Sequence, residues 1–273
     1  MERGFCRFVL ARIGGLGMLP PIMAKVLAVI PARYGSTRLP GKVLADLAGK
    51  PLVWHVYQRA LQAELVHEVL IATDDQRVVD ALRPYGAHVL LTRTDHATGT
   101  DRLAEVAHRF PSDLVVNVQG DEPLIDPGTI DAAIRPLLHD PALPMATVRH
   151  RIADARRLAD PNVVKVVCDA SGRALYFSRS PIPHVREADP SLPAAPIHWQ
   201  HVGLYVYRRD FLLRFASLPQ TDLEKAEKLE QLRALEHGFP IAVVETEHES
   251  LGVDTLADLE RARRRLAAYS DAA

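Results

Sequence analysis

Arg33, Arg38 and Lys42 stand in the loop R-Y-G-S-T-R-L-P-G-K, a few residues after the apolar run 26–30. Fixed positive charges beside glycine, at the exit of a buried strand, make a grip for a polyphosphate. Glycine lets the backbone approach, and the cations offset the ligand's charge. The plainer reading is a solvated surface turn. Neither common nucleotide motif fits. A Walker loop has a shorter gap between its glycines and a Ser or Thr after its Lys. Here five residues separate Gly35 from Gly41, and Val43 follows Lys42. The run Gly14-Gly15-Leu16-Gly17 lacks the last glycine of a dinucleotide fingerprint, because Pro20 stands there. An NAD enzyme and a P-loop ATPase are both disfavoured.

Two carboxylates suggest a partner for the basic loop. Asp121, in Q-G-D-E-P, follows the apolar run 114–118, and Asp254, in G-V-D-T, precedes the last helical pattern. Mg²⁺ takes one or two carboxylates together with phosphate oxygens, so the pair suits a Mg-nucleotide site. Against this, an Asp before a helix is commonly only its cap. The segment Thr98-Gly99-Thr100-Asp101-Arg102 opens another helical pattern. Its free N–H groups would face a ligand, with Arg102 reaching a phosphate, or Thr98 is an ordinary N-cap. No histidine pair has zinc spacing, and no Ser-His-Asp or Cys-His arrangement stands out.

These residues need elements to hold them. Strand patterns at 26–30, 69–73, 88–91 and 114–118 alternate with helical patterns at 51–63, 77–85, 101–110 and from Asp126-Pro127 onward. That alternation predicts an α/β fold: a mainly parallel, Rossmann-like sheet with helices on both faces. In such sheets ligands bind past the strands' C-terminal ends, where Asp121 falls. The middle differs. Runs 164–167 and 174–177 flank Asp169-Ala170-Ser171-Gly172-Arg173, a hairpin signal, and 201–207 is strand-like again. Residues 145–207 are therefore expected to form an antiparallel insertion, a subdomain or dimerisation element. One charged amphipathic helix is expected over 223–237, closed by Gly238, then a strand at 241–244 and a helix begun by Thr255 with Asp258 as capping partner.

At 273 residues the chain can bury a large core. With 33 basic and 34 acidic residues, nothing global suggests nucleic-acid or membrane binding. Two cysteines, Cys6 and Cys168, build no disulfide framework; Cys168, closing a strand pattern, is expected as a buried thiol in a reducing, cytoplasmic setting. Residues 1–23 read as a loosely ordered extension, with Met18 or Met23 as alternative starts, ahead of one domain over 24–273.

The motifs also occur together in one order: the basic loop, T-G-T-D-R, V-N-V-Q-G-D-E-P, A-L-Y-F-S-R, H-V-G-L-Y-V-Y, L-E-K-A-E-K-L-E-Q-L-R and G-V-D-T. Over about residues 25–266 the chain resembles the 3-deoxy-manno-octulosonate (Kdo) cytidylyltransferases. The resemblance implies a nucleotidyltransferase sheet and attack of the Kdo C2 hydroxyl on the α-phosphate of CTP. The products would be CMP-Kdo for lipopolysaccharide assembly and pyrophosphate. It implies that Arg33, Ser36, Arg38 and Lys42 hold the triphosphate, and that Thr98, Gly99, Arg102 and Gln119 contact cytidine and the adjoining phosphate. Asp121 and Asp254 would hold Mg²⁺, and Arg179, His201, Tyr205, Glu230 and Gln231 would hold Kdo. It also implies a homodimer. Departures are Thr98 in place of a common Ser, the segment Pro183-His184-Val185-Arg186, and the N-terminal extension. Rival readings are a cytidylyltransferase for 8-amino-Kdo or sialic acid, and a nucleotide-binding regulator without turnover.

Overall fold

The computed structural model describes residues 24–35, 39–186 and 197–270. The 1–23 extension, Cys6, Ser36 and Arg38 lie outside the described residues. Strand β1 (Val26–Pro31) leads towards a 3-10 turn at Lys42–Leu44 and a small hairpin, β2 (Asp46–Leu47) and β3 (Lys50–Pro51). Helix and strand then alternate through α1 (Leu52–Ala60), β4 (Glu68–Thr73), α2 (Gln76–Leu82), β5 (Val89–Leu91), α3 (Gly99–Arg109), β6 (Leu114–Asn117) and α4 (Pro127–His139). Next come β7 (Met145–Arg151), α5 (Ala155–Ala159), β8 (Lys165–Cys168), β9 (Ala174–Ser178), β10 (Trp199–Arg208) and α6 (Arg209–Ser217). The chain continues with α7 (Asp222–Glu227), α8 (Gln231–Glu236), β11 (Ile241–Thr246) and α9 (Leu256–Ser270).

The main sheet runs β11-β7-β10-β6-β1-β4-β5, with β8 and β9 attached beside β10. It is mostly parallel along this path: β1 pairs parallel with β4 and β6, β4 with β5, and β7 with β11. Only β10 runs antiparallel, between β6 and β7. The first three strands step outward from β1 to β4 to β5, and β6 returns to the other side of β1. That reversal opens a crevice at the C-terminal ends of β1 and β6, the usual ligand position in such sheets.

Strand β1 shows why the run 26–30 is apolar throughout. Val26, Ala28 and Ile30 face one core with Val53 and Val56 of α1, Ile130 and Ile134 of α4 and Leu259 of α9. Leu27 and Val29 face the other, with Leu103 and Val106 of α3 and Phe211 and Phe215 of α6. A strand covered on both faces needs apolar residues at every position. Each fully buried Val, Leu or Ile contributes roughly 1.5–3 kcal/mol, so β1 is a firm base for the loop that follows it.

Three expectations change. The strands of 145–207 are not set apart: β7 and β10 are interior strands of the main sheet, and only the β8–β9 hairpin branches from it. The helix expected over 223–237 is two helices, α7 and α8, parted where Lys228 adopts φ 55°. Arg179 explains the break. Its Nε donates to the Glu227 carbonyl at 2.7 Å, and its own N–H donates to the Glu227 carboxylate at 2.9 Å. A carbonyl that a continuous helix would use internally is thus taken from outside. The halves stay joined because Arg233 donates to both Glu224 carboxylate oxygens, at 2.8 and 2.6 Å, with both side chains buried. Cys168 is half-buried rather than buried, and burial raises its thiol pKa against the opposing influence of Arg149. Among the described residues, no helix is long and apolar enough to cross a membrane.

Candidate active site

A cleft of about 390 Å³ lies over the crevice, lined by Pro31, Arg33, Gly35, Lys42, Val43, Gly99, Gln119, Gly120, Asp121 and Asp254. Lys42 is placed by Gly41, which takes φ 67° and lies against the Tyr34 ring; a Cβ there would approach the ring to 3.3 Å. Only glycine combines that left-handed conformation with so close an approach. The next residue's ammonium then reaches across the cleft, donating to Asp121 Oδ2 at 2.7 Å and Asp254 Oδ1 at 2.9 Å. Burial opposes the ammonium's charge, yet the two carboxylates prevail and the Lys42 pKa is raised.

The carboxylates are brought together by backbone as well as by Lys42. Val253 N–H donates to the Asp121 carbonyl at 2.9 Å, tying the two loops. Capping of α9 falls to Thr255 and Asp258: the Thr255 hydroxyl accepts from Asp258 N–H at 3.2 Å while Asp258 accepts from Thr255 N–H at 3.0 Å. The carboxylate of Asp254 is therefore turned to Lys42 rather than to the helix. Gly120 seals the join between β1 and β6, since a Cβ there would sit 2.7 Å from the Pro31 carbonyl oxygen. Gly120→Ala should cost about 1–3 kcal/mol because backbone must move. The expected readout is a lower Tm with reduced turnover; an unchanged Tm would show that the two strand exits part freely.

Other expected ligands meet the cleft unevenly. Arg33 lines it, with Nη2 donating to the His96 carbonyl at 2.9 Å. Gly99 lines it at the start of α3, but the Thr98 hydroxyl caps that helix, accepting from Asp101 N–H at 3.1 Å. Gln119 lines it with its amide fixed by the Gly203 carbonyl at 3.0 Å. Arg102 corrects the expectation of a phosphate contact. It is fully buried outside the cleft lining, paired with Asp74 at 2.7 Å and bonded to the Thr92 hydroxyl. Pro31 and Val43 line the cleft too, apolar residues at either end of the basic loop with no signal of their own in the sequence, and Gly120 belongs to the polar strand end Q-G-D-E-P.

The residues expected to hold the sugar divide. His201, Tyr205 and Glu230 cluster behind the start of α3. The rings of His201 and Tyr205 are 5.3 Å apart, and Glu230 accepts from the Thr100 hydroxyl at 2.5 Å, one residue beyond Gly99. Burial raises the Glu230 pKa, outweighing Thr100 and Arg233. Gln231, beside Glu230 in sequence, is 4 % exposed. Among the described residues, Glu230 Oε1 and Gln231 Nε2 are buried without a hydrogen-bond partner. Arg179 does not join them. Its guanidinium serves backbone carbonyls, Nε to Glu227 and Nη1 to Pro161 at 3.0 Å, and it lines no part of the cleft.

His201 carries a pH prediction. Its ring is buried, with Nε2 2.9 Å from the Thr147 hydroxyl, and burial lowers its pKa from 6.5 to about 3. The folded protein keeps it neutral while the unfolded chain gains a proton below 6.5. This contribution to stability is therefore present above that value and lost as pH falls. Between about pH 7 and pH 5 the loss from this one group is about 2 kcal/mol. His201→Gln should flatten that part of a stability–pH curve; an identical slope in the variant would assign the acid sensitivity elsewhere.

The cytidylyltransferase family pattern matches residues 27–247. A 3-deoxy-manno-octulosonate cytidylyltransferase of Geobacter sulfurreducens is 57% identical over 247 residues, covering 88% of this chain and 99% of that protein. The enzyme of that name from Solibacter usitatus is 57% identical over 240 residues, covering 88% and 94%. A solved CMP:2-keto-3-deoxy-manno-octonic acid synthetase complexed with CTP superposes with a TM-score of 0.84 at 47% identity, covering 90% of this chain and 100% of that one. A putative glucose-1-phosphate thymidylyltransferase of Bacillus anthracis shares the fold alone, with a TM-score of 0.62 at 16% identity.

Proposed function

Since the chain belongs to the cytidylyltransferase family, we propose that its β1–β6 cleft binds CTP and presents the α-phosphate to the C2 hydroxyl of Kdo. The enzyme transfers CMP from CTP to Kdo, giving CMP-Kdo and pyrophosphate. One observation carries the assignment of residues: Asp121 and Asp254, from distant parts of the chain, converge on the Lys42 ammonium inside a cleft that Arg33 also lines.

The donor set fits Mg²⁺. Two carboxylate oxygens lie within hydrogen-bond reach of a single cationic nitrogen, so they already converge on a position for positive charge. Hard oxygen ligands suit this ion, which takes one or two carboxylates and completes its shell with water and phosphate oxygens. When bound, it neutralises phosphate charge, polarises the α-phosphate and lowers the pKa of a coordinated hydroxyl. The residues supply orientation and charge. Arg33, steadied by the His96 carbonyl, faces the triphosphate with the rest of its planar fork. Lys42 follows the charge that develops on departing pyrophosphate, and backbone at Gly35 and Gly99 allows close approach. Arg38 and Ser36 extend this grip in the proposal. Gln119, with both donors and an acceptor in its amide, suits the amino and carbonyl groups of cytosine.

For the sugar, Glu230 and Gln231 are the strongest candidates, with His201 and Tyr205 beside them. Buried polar atoms lacking partners are costly, and sugar hydroxyls would satisfy both. A homodimer and a cytoplasmic setting complete the proposal. Leu175 and Ile197, large apolar residues exposed by 61% and 49%, support a subunit contact through the middle of the chain, which light scattering would test.

The deciding experiment is pyrophosphate release with CTP and Mg²⁺ across Kdo, 8-amino-Kdo and sialic acid. Turnover with Kdo is expected. Turnover with sialic acid but not Kdo would overturn the substrate, and none with any acid sugar would favour a regulator.

A further inference from the structure

Arg33 depends on a carbonyl, and that carbonyl depends on a loop. Residues 92–98 connect β5 to α3 and carry His96, whose carbonyl accepts from Arg33 Nη2 at 2.9 Å. The start of this loop is fixed to β4: Thr92 donates both its N–H, at 2.8 Å, and its hydroxyl, at 2.9 Å, to the Thr73 carbonyl. Its far end is the Thr98 cap of α3. Between these anchors Arg102 Nη1 donates to the Arg93 carbonyl at 3.4 Å, and Glu105 makes the closer contacts. Glu105, on the second turn of α3, accepts from Arg93 N–H at 3.0 Å and contacts His96 Nε2 at 2.5 Å, while Arg109 pairs with its other oxygen. The His96 and Glu105 side chains are only 7% and 12% exposed. Burial works against the carboxylate, but His96, Arg93 N–H and Arg109 outweigh it and lower its pKa. An ionised carboxylate only accepts, so His96 donates from Nε2.

We propose that Glu105 is a positioning residue for the nucleotide: by pinning the His96 ring and the Arg93 amide to α3, it holds the His96 carbonyl where it aims the Arg33 guanidinium into the cleft. The chain of contacts runs from Glu105 to the loop, from the loop's carbonyl to Arg33, and from Arg33 to the triphosphate. It touches neither the metal ligands nor the cluster around Glu230. Losing Glu105 therefore weakens the use of CTP and spares the use of the sugar. A charge-assisted hydrogen bond buried on this scale orients its partner strongly, and misplacing a phosphate-binding arginine by a fraction of an ångström is enough to be felt. This inference rests on Arg33 being a triphosphate ligand.

The test is steady-state kinetics on the full chain with each substrate varied. Glu105→Ala should raise the KM for CTP about tenfold and leave the KM for Kdo within about twofold, the signature of lost binding on one side of the site. Glu105→Gln keeps an acceptor oxygen for His96 and the Arg93 amide and should recover most of the loss. In an Arg33→Ala background, Glu105→Ala should add less than about twofold, because the group it positions is already gone. If Glu105→Ala fails to fold, His96→Ala makes the same comparisons, since it removes the pinned ring and leaves α3 intact. Equal rises in both KM values, or a full additional loss in the Arg33→Ala background, would overturn the positioning role. A normal KM for CTP in Arg33→Ala alone would instead remove Arg33 from the triphosphate, with wild-type turnover still standing.

Discussion

Asp121→Asn should yield a folded enzyme whose kcat is lower by about a thousandfold, the scale seen when a preorganised electrostatic group is removed from a charged transition state. The substitution is nearly isosteric. Lys42 keeps its 2.9 Å hydrogen bond to Asp254, and the 2.9 Å bond from Val253 N–H to the Asp121 carbonyl is untouched, so Tm should move little. What changes is the charge of one of the two carboxylates that meet Lys42 in the cleft. An amide oxygen is a weaker ligand for a hard divalent ion, so the Mg²⁺ concentration needed for half-maximal rate should rise together with the fall in kcat. Pyrophosphate release at saturating substrates, with Mg²⁺ titrated, measures both. A kcat within about threefold of wild type would take Asp121 out of the metal role.

Asp121 was legible in the sequence because its signal is positional. A carboxylate just past a buried parallel strand falls at the ligand edge of the sheet whatever the details of packing. The run 26–30 was legible for a similar reason, since only a strand covered on both faces is apolar at every position. Arg102 was not. Its place in the first turn of α3 is compatible with pointing towards a phosphate or towards Asp74, and the choice is made by the residue that follows β4, 28 positions away in sequence. The same holds for Lys228, whose helix break is set by Arg179 reaching across from just past β9, and for β7 and β10, whose local patterns do not reveal that their antiparallel partners lie inside the main sheet. Glu105 looks like any helical Glu with an Arg four residues on, and only the returning loop gives it a further task. Local pattern thus located strand ends and helix starts. It did not decide which long side chains are turned inward to neighbours, because that depends on contacts between remote segments.

Lys42→Met should separate two roles of one ammonium. Met keeps an unbranched stem of similar length and removes the charge. Turnover should fall by two to three powers of ten, about the effect of losing a cation that offsets charge on the leaving pyrophosphate. Yet binding of Mn²⁺ as a probe, in the absence of nucleotide, should become tighter. The ammonium occupies the space between the carboxylates, donating at 2.7 and 2.9 Å, so an incoming divalent ion meets both a blocked position and a like charge. Coulomb's law gives about 4 kcal/mol for unit charges about 4 Å apart at an effective dielectric near 20. Even a third of that repulsion is about tenfold in affinity, the gain expected for Mn²⁺ by calorimetry or electron paramagnetic resonance. If the triphosphate takes Lys42 as its partner, as proposed, the carboxylates are released to the ion, and metal and nucleotide should bind to the wild type with positive cooperativity that the variant lacks. Unaltered Mn²⁺ affinity in Lys42→Met would show that the ammonium and the ion do not compete. The two aspartates would then have to hold their ion on the side away from the lysine.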